Sequence, residues 1–225
     1  MINKIFLIFI LCFTFITSNS FAATAKPDVY KVTMEKVELC IDADCAAAPY
    51  VIGSGEKTVD IASVTAGADA ATFASTSGLP LGETFTHIRV TVNRSFTLKG
   101  TITDGEDTCT TDGSTEANKT TLHTATKNDT SGNTETTMWL VNAGSGYGNG
   151  NISMSYDSPK YALKITLISA TSFNIIYALA ESYTVGLIAP RIKVAFEMNA
   201  AIGGNVDTNC YMWPEEPKVT ISISE

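Results

Sequence analysis

Four carboxylates crowd one short stretch of the chain. In "TDGEDTCTTDG" they are Asp104, Glu106, Asp107 and Asp112. Calcium is held by several oxygen ligands, carboxylates foremost, so this loop is a candidate calcium site. The spacing is not that of an EF-hand, which favours a solvated acidic loop over a calcium site. A second chemistry is stacking. Trp139, Tyr147, Tyr156, Tyr211 and Trp213 lie near predicted loops, and exposed aromatic rings stack on sugars. Core packing competes for some of these rings.

Other reactive types are sparse. There are two histidines, His87 and His123; both read as solvated side chains. With no C-x₂-C spacing, a zinc site is disfavoured. The chain has no G-x-S-x-G elbow, P-loop or H-E-x-x-H, and "GSGYGNG" misses the G-x-G-x-x-G spacing. A catalytic role is not expected.

The N-terminus reads as an export signal. Lys4 precedes the apolar run "IFLIFILCFTFI", which is too short to span a bilayer. Small residues follow, and both Ala23-Thr24-Ala25 and Ser20-Phe21-Ala22 fit the small-x-small cleavage rule. Taking the first motif gives a signal peptide over 1–25 and a mature domain over 26–225. Leu11 before Cys12 departs from a lipobox, so no membrane anchor is expected after cleavage. The destination is the periplasm or the medium.

Export bears on the remaining cysteines. Cys40, Cys45, Cys109 and Cys210 make an even set, which in an oxidising compartment reads as two disulfides with three connectivities. Cys40 and Cys45 flank the tight loop "IDAD"; a local bridge there leaves Cys109 with Cys210. The net charge of −8 argues against nucleic acid, whose binders present basic surface.

The elements that must position these groups are strands. "TFTHIRVTV" alternates, with Thr86, Ile88, Val90 and Val92 on one side and Phe85, His87, Arg89 and Thr91 on the other. "SFTLKGTIT" follows as its candidate hairpin partner. "YKVTMEKVELC" changes phase between Met34 and Val37, which predicts a bulge near Glu35-Lys36. "YALKITLISA" points Tyr161, Leu163, Ile165 and Leu167 inward. "FNIIYALA" is apolar on both faces, as in a central strand. "PRIKVAFEM" and "KVTISISE" each carry an alternating apolar face. Many short strands with Gly, Pro, Asn and Asp between them predict an all-β sandwich, mostly antiparallel. Residues 104–137, rich in Thr and poor in large apolar residues, read as a polar insertion outside the core. Within it "KTTLHTAT" and "TETTMWLV" are candidate pairing strands.

Several of these segments resemble a bacterial domain family of unknown function, similar to prealbumin-type and carboxypeptidase-regulatory-type β-sandwiches on exported proteins. The resemblance is carried by Lys36-Val37-Glu38-Leu39, Val59-Asp60-Ile61, Leu79-Pro80, Gly82, Phe85 and Ile88-Arg89-Val90. It covers Tyr30 to Thr103 well and the C-terminal third loosely. It implies a sandwich and export, and no catalytic residues. In this reading Pro80 and Gly82 fix a turn that sets the register of the strand behind them.

The functional expectation is therefore an exported, non-enzymatic β-sandwich module that binds a protein or glycan at the cell surface, or serves as a scaffold. A calcium-dependent or glycan-binding module is one alternative. The other is a filament subunit that self-associates by strand exchange through "VYKVTMEKVEL" or "VTISIS".

Overall fold

The computed structural model describes residues 23–64, 68–69, 75–115, 122–140, 155–156, 160–206 and 209–224. Its strands, in chain order, begin with β1 (Ala23–Ala25), β2 (Val29–Cys40), β3 (Tyr50–Asp60), β4 (Ala68–Asp69), β5 (Thr84–Asn93) and β6 (Ser95–Lys99). Next come β7 (Thr101–Asp104), β8 (Asp107–Thr110), β9 (His123–Thr124), β10 (Thr126–Lys127), β11 (Thr136–Trp139) and β12 (Ser155–Tyr156). The chain closes with β13 (Lys164–Leu167), β14 (Ser172–Thr184), β15 (Arg191–Glu197), β16 (Ile202–Asn205), β17 (Tyr211–Pro214) and β18 (Lys218–Ser224). Every pairing between these strands is antiparallel, and the described residues contain no helix.

One large sheet runs β11-β6-β2-β5-β14-β13-β12, with β3 on the far side of β2. Facing it are the small sheets β1-β16-β17-β9, β10-β8-β7 and β18-β15-β4. The layers meet where β14 packs on β18 and β11 on β17. A single hydrophobic cluster joins Leu39, Ile88, Leu98 and Phe173 of the large sheet to Ile102, Ile192, Ile202, Met212 and Ile221 of the small ones. The alternation that predicted β15 and β18 is realised as opposed pairs: Ile192 with Ile223, Val194 with Ile221, Phe196 with Val219.

The large sheet turns on a break between β5 and β6. Both pair with the same side of β2, β5 over Met34–Cys40 and β6 over Val29–Lys31. They are therefore one bent strand, not a hairpin. At the bend the other neighbour changes: β14 flanks β5, and β11 flanks β6. Arg94 sits at that point and is fully buried. Its Nε and Nη2 donate to the Leu140 carbonyl (3.2 and 2.7 Å), and Nη1 donates to Ala170 (3.0 Å). Its own backbone N–H reaches Thr171, and its carbonyl accepts from Leu140. The side chain thus satisfies carbonyls left over where one partner strand stops and the next begins.

The expected bulge in β2 is present. Met34 faces Val92 and Lys36 faces Thr91, leaving Glu35 as the extra residue. Beyond it the outer face of the sheet carries the cross-strand row Glu38, Arg89, Ile176, Lys164. Glu38 is buried there, with Arg89 Nε at 2.7 Å and Lys36 Nζ at 3.1 Å. Burial pushes its pKa up, but the Arg89 and Lys36 hydrogen bonds and charges outweigh this and hold it below the ordinary value of 4.5. The disulfide Cys40–Cys45 closes the adjacent loop, and with Ile176 forms a second small apolar cluster. Cys109–Cys210 joins residues separated by 101 positions, a span worth about 4–5 kcal/mol in the chain-entropy account. Both bridges are compatible with an oxidising compartment.

Besides this missing hairpin between β5 and β6, the structure departs from the sequence reading in four places. Residues 104–137 are not all outside the core: Cys109, Thr110, Thr111, Leu122, Ala125 and Thr136 are buried. Threonine makes this feasible, because its hydroxyl serves the backbone while its methyl packs. The Thr136 hydroxyl accepts from the Asp112 and Gly113 N–H groups, and the Thr111 hydroxyl accepts from Gly100. The two candidate strands "KTTLHTAT" and "TETTMWLV" do not pair with each other. β9 joins β17, β10 joins β8 and β11 joins β6. Phe85, expected on the polar side of β5, is buried beside a register shift in β14 between Ala178 and Tyr183. Tyr161 and Leu163 are exposed, because β13 begins only at Lys164 and presents Ile165 to the core.

Two measurements test these features. Arg94→Met leaves the carbonyls of Leu140 and Ala170 without their guanidinium donors, and should cost about 2–4 kcal/mol in urea unfolding; an unchanged midpoint would contradict the role given to it. Glu38, with its folded pKa lowered, contributes stability above pH 4.5 that is lost as pH falls through its folded value. Glu38→Gln should therefore flatten the acid side of the stability profile, measured by urea midpoints across that range.

Candidate functional site: an aromatic strand face

The acidic residues do not converge. Asp104 and Asp107 face each other across the β7–β8 hairpin, with Glu106 in its turn. Asp107 is held by Asn128 (2.9 Å) and Lys127 (3.0 Å), which keep its carboxyl below the usual range. Roughly 15 Å of extended chain then separates it from Asp112. Burial raises the Asp112 carboxyl, but Ser114, whose N–H donates at 3.0 Å, and the His123 charge prevail and lower it. His123 is buried, not solvated, with Nε2 3.6 Å from Asp112 Oδ1. Among the described residues no group of three or more His, Cys, Asp or Glu side chains is placed to hold a metal. The candidate four-carboxylate calcium site is not assembled among the described residues.

The aromatic set is divided. Tyr147 lies outside the described residues. Tyr156 is in β12, at the end of the large sheet. Trp139 ends β11, opposite Ser95. Tyr211 and Trp213, two residues apart on β17, share a face, while Met212 and Pro214 between and beyond them are buried in the core. These two rings are the aromatic pair that the fold brings together.

The neighbouring strands complete that face. Tyr211 lies between Asn205 of β16 and Thr124 of β9. Trp213 lies opposite Gly203, which is in turn opposite Thr24 of β1. The two glycines of "AIGGN" serve opposite sides. A Cβ on Gly204 would stand 2.1 Å from Ile102 Cδ1, on the core side. A Cβ on Gly203 would stand 2.7 Å from both Trp213 Nε1 and the Glu215 carboxylate. The indole and its partner therefore lie directly over the Gly203 backbone.

Trp213 is pinned there. Its Nε1 donates to Glu215 Oε1 at 2.7 Å. Glu215 is itself fixed, with its N–H donating to Ala201 (3.0 Å) and its carbonyl accepting from the buried Tyr30 hydroxyl (3.1 Å). Burial, and then the charges of Glu215 and Glu216, hold the Tyr30 phenol far above its ordinary pKa, so it stays a neutral donor. The next residue, Glu216, accepts from the Ala162 N–H, and burial raises its carboxyl against these backbone bonds. The β17–β18 connection that follows the indole is thus tied to the core. The result is a half-buried platform of two rings flanked by Asn205, Thr124 and Thr24. Such a surface offers stacking with polar groups at its margin.

Comparison with family models, curated proteins and solved structures finds no match for the chain. The site must be argued from its own geometry. Sequence reasoning named Tyr211 and Trp213 but missed Gly203 and Glu215; the double glycine before a Tyr-x-Trp strand was the available signal.

Gly203→Ala should dislodge the indole from Glu215. With Trp139 replaced by Phe, Trp213 is the one tryptophan of the two that remains. Its emission should then shift to longer wavelength and be quenched more readily by acrylamide. An unchanged spectrum would contradict the packing described.

Proposed function

We propose that the protein is an exported, non-enzymatic binding module that recognises sugar rings through the Tyr211–Trp213 face. One observation carries this reading: two rings on one strand face, one of them fixed in place by Glu215 over a glycine. A ring held before its ligand arrives loses little freedom on binding. Amphipathic rings with hydroxyl and amide neighbours match a pyranose, which offers an apolar face and a polar edge. The two disulfides and the N-terminal apolar run support export.

The strand-exchange alternative has less support. β2, which contains the first candidate donor strand, is paired on both sides within its own chain, and β18 is paired with β15 along its length. Either would have to leave the fold to be donated.

A glycan array probed with the folded, oxidised protein tests the reading. At least one glycan class should bind, and Trp213→Ala should weaken it by roughly three- to tenfold, as expected for one lost stacking contact. An empty array, or a variant that binds as well as the wild type, would refute it.

A further inference from the structure

We propose that the leader is cut between Ala22 and Ala23, so that the mature protein begins with β1. This rests on the export reading above. Two overlapping motifs satisfy the small-x-small rule, Ser20-Phe21-Ala22 and Ala23-Thr24-Ala25. The structure gives the second a different task. Ala23, Thr24 and Ala25 pair with Gly204, Gly203 and Ile202 of β16. Ala23 and Ala25 pack against the hydrophobic cluster, while Thr24 is exposed. The Ala-x-Ala pattern is thus the period-two alternation of a strand that needs small side chains on its inner side. With that pattern explained by packing, Ser20 and Ala22 remain as the recognition residues.

The fold also shows what the other cut would remove. β1 is the outermost strand of its sheet and lies against β7 as well as β16. Cutting after Ala25 would delete it whole. The backbone of β16 would become an edge directly beside the core, a template for pairing with another chain. It would also remove Thr24, one margin of the aromatic face. The residues just after β1 are already built in: Pro27 is fully buried and the Asp28 N–H donates to the Lys99 carbonyl at 2.8 Å. In the proposed step water adds across the Ala22–Ala23 amide. Ala22 leaves with the leader as a carboxylate, and Ala23 keeps the new α-ammonium. The agent is a leader peptidase whose pockets take small side chains at the first and third positions before the bond.

The full chain, secreted from an export-competent bacterium, is analysed by intact mass and N-terminal sequencing. The expected product is residues 23–225. A product starting at Lys26 would overturn this inference and leave export standing, whereas a retained leader would overturn both. A second comparison guards the structural argument. Purified 26–225 should melt lower than 23–225 and form larger species in light scattering. Identical melting and mass would show that β1 does not complete the edge, and would overturn the proposal.

Discussion

A buried guanidinium holds the large sheet together where it changes partners. β2 needs one long strand along its side, and β5 and β6 supply it as a single bent segment. No single strand flanks that segment along its whole length, so β14 serves one half and β11 the other. Such a change leaves carbonyls without ladder partners, and unpaired buried carbonyls are costly. Arg94 meets this with a planar fork of donors that reaches Leu140 and Ala170 at once. Because β11 backs β17, the same arrangement supports the strand that carries Tyr211 and Trp213.

The aromatic face follows from a related constraint. A ring on a sheet is rigid only if its backbone, its neighbours and its polar atom are all fixed. The β17–β18 connection meets all three conditions. Gly203 supplies the floor, Glu215 takes the indole N–H, and Tyr30 ties Glu215 back to the core. The glycine next to it lets Ile102 fill the opposite side. Both sides of the sheet are therefore packed through one four-residue strand with no side chain at its centre.

The sequence disclosed what depends on period and local chemistry. Ile192, Val194, Val219 and Ile221 alternate in uninterrupted runs, and both segments are strands whose apolar residues sit opposite each other. The phase change at Glu35 announced its bulge because a slip of one residue moves every side chain to the other face. What escaped reading was non-local. Nothing in "VTVNRSFTL" distinguishes a hairpin from a bent strand, since that depends on β2 lying alongside. The Thr-rich stretch looked too polar to bury, yet Thr111 and Thr136 act as internal acceptors for backbone N–H groups. The acidic residues were close in sequence, but an extended strand carries Asp112 far from the hairpin tip. The double glycine hinted at a close approach, but the roles of Gly203 and Glu215 became clear only once β16 lay beside β17.

The most direct test of the account is a titration of Trp213 itself. In a chain with Trp139 replaced by Phe, tryptophan emission reports this face and nothing else. The account predicts that a glycan bound by the protein will change that emission saturably, with the same apparent affinity that calorimetry gives. A glycan that binds by calorimetry while Trp213 emission stays constant would contradict it and place recognition elsewhere on the molecule.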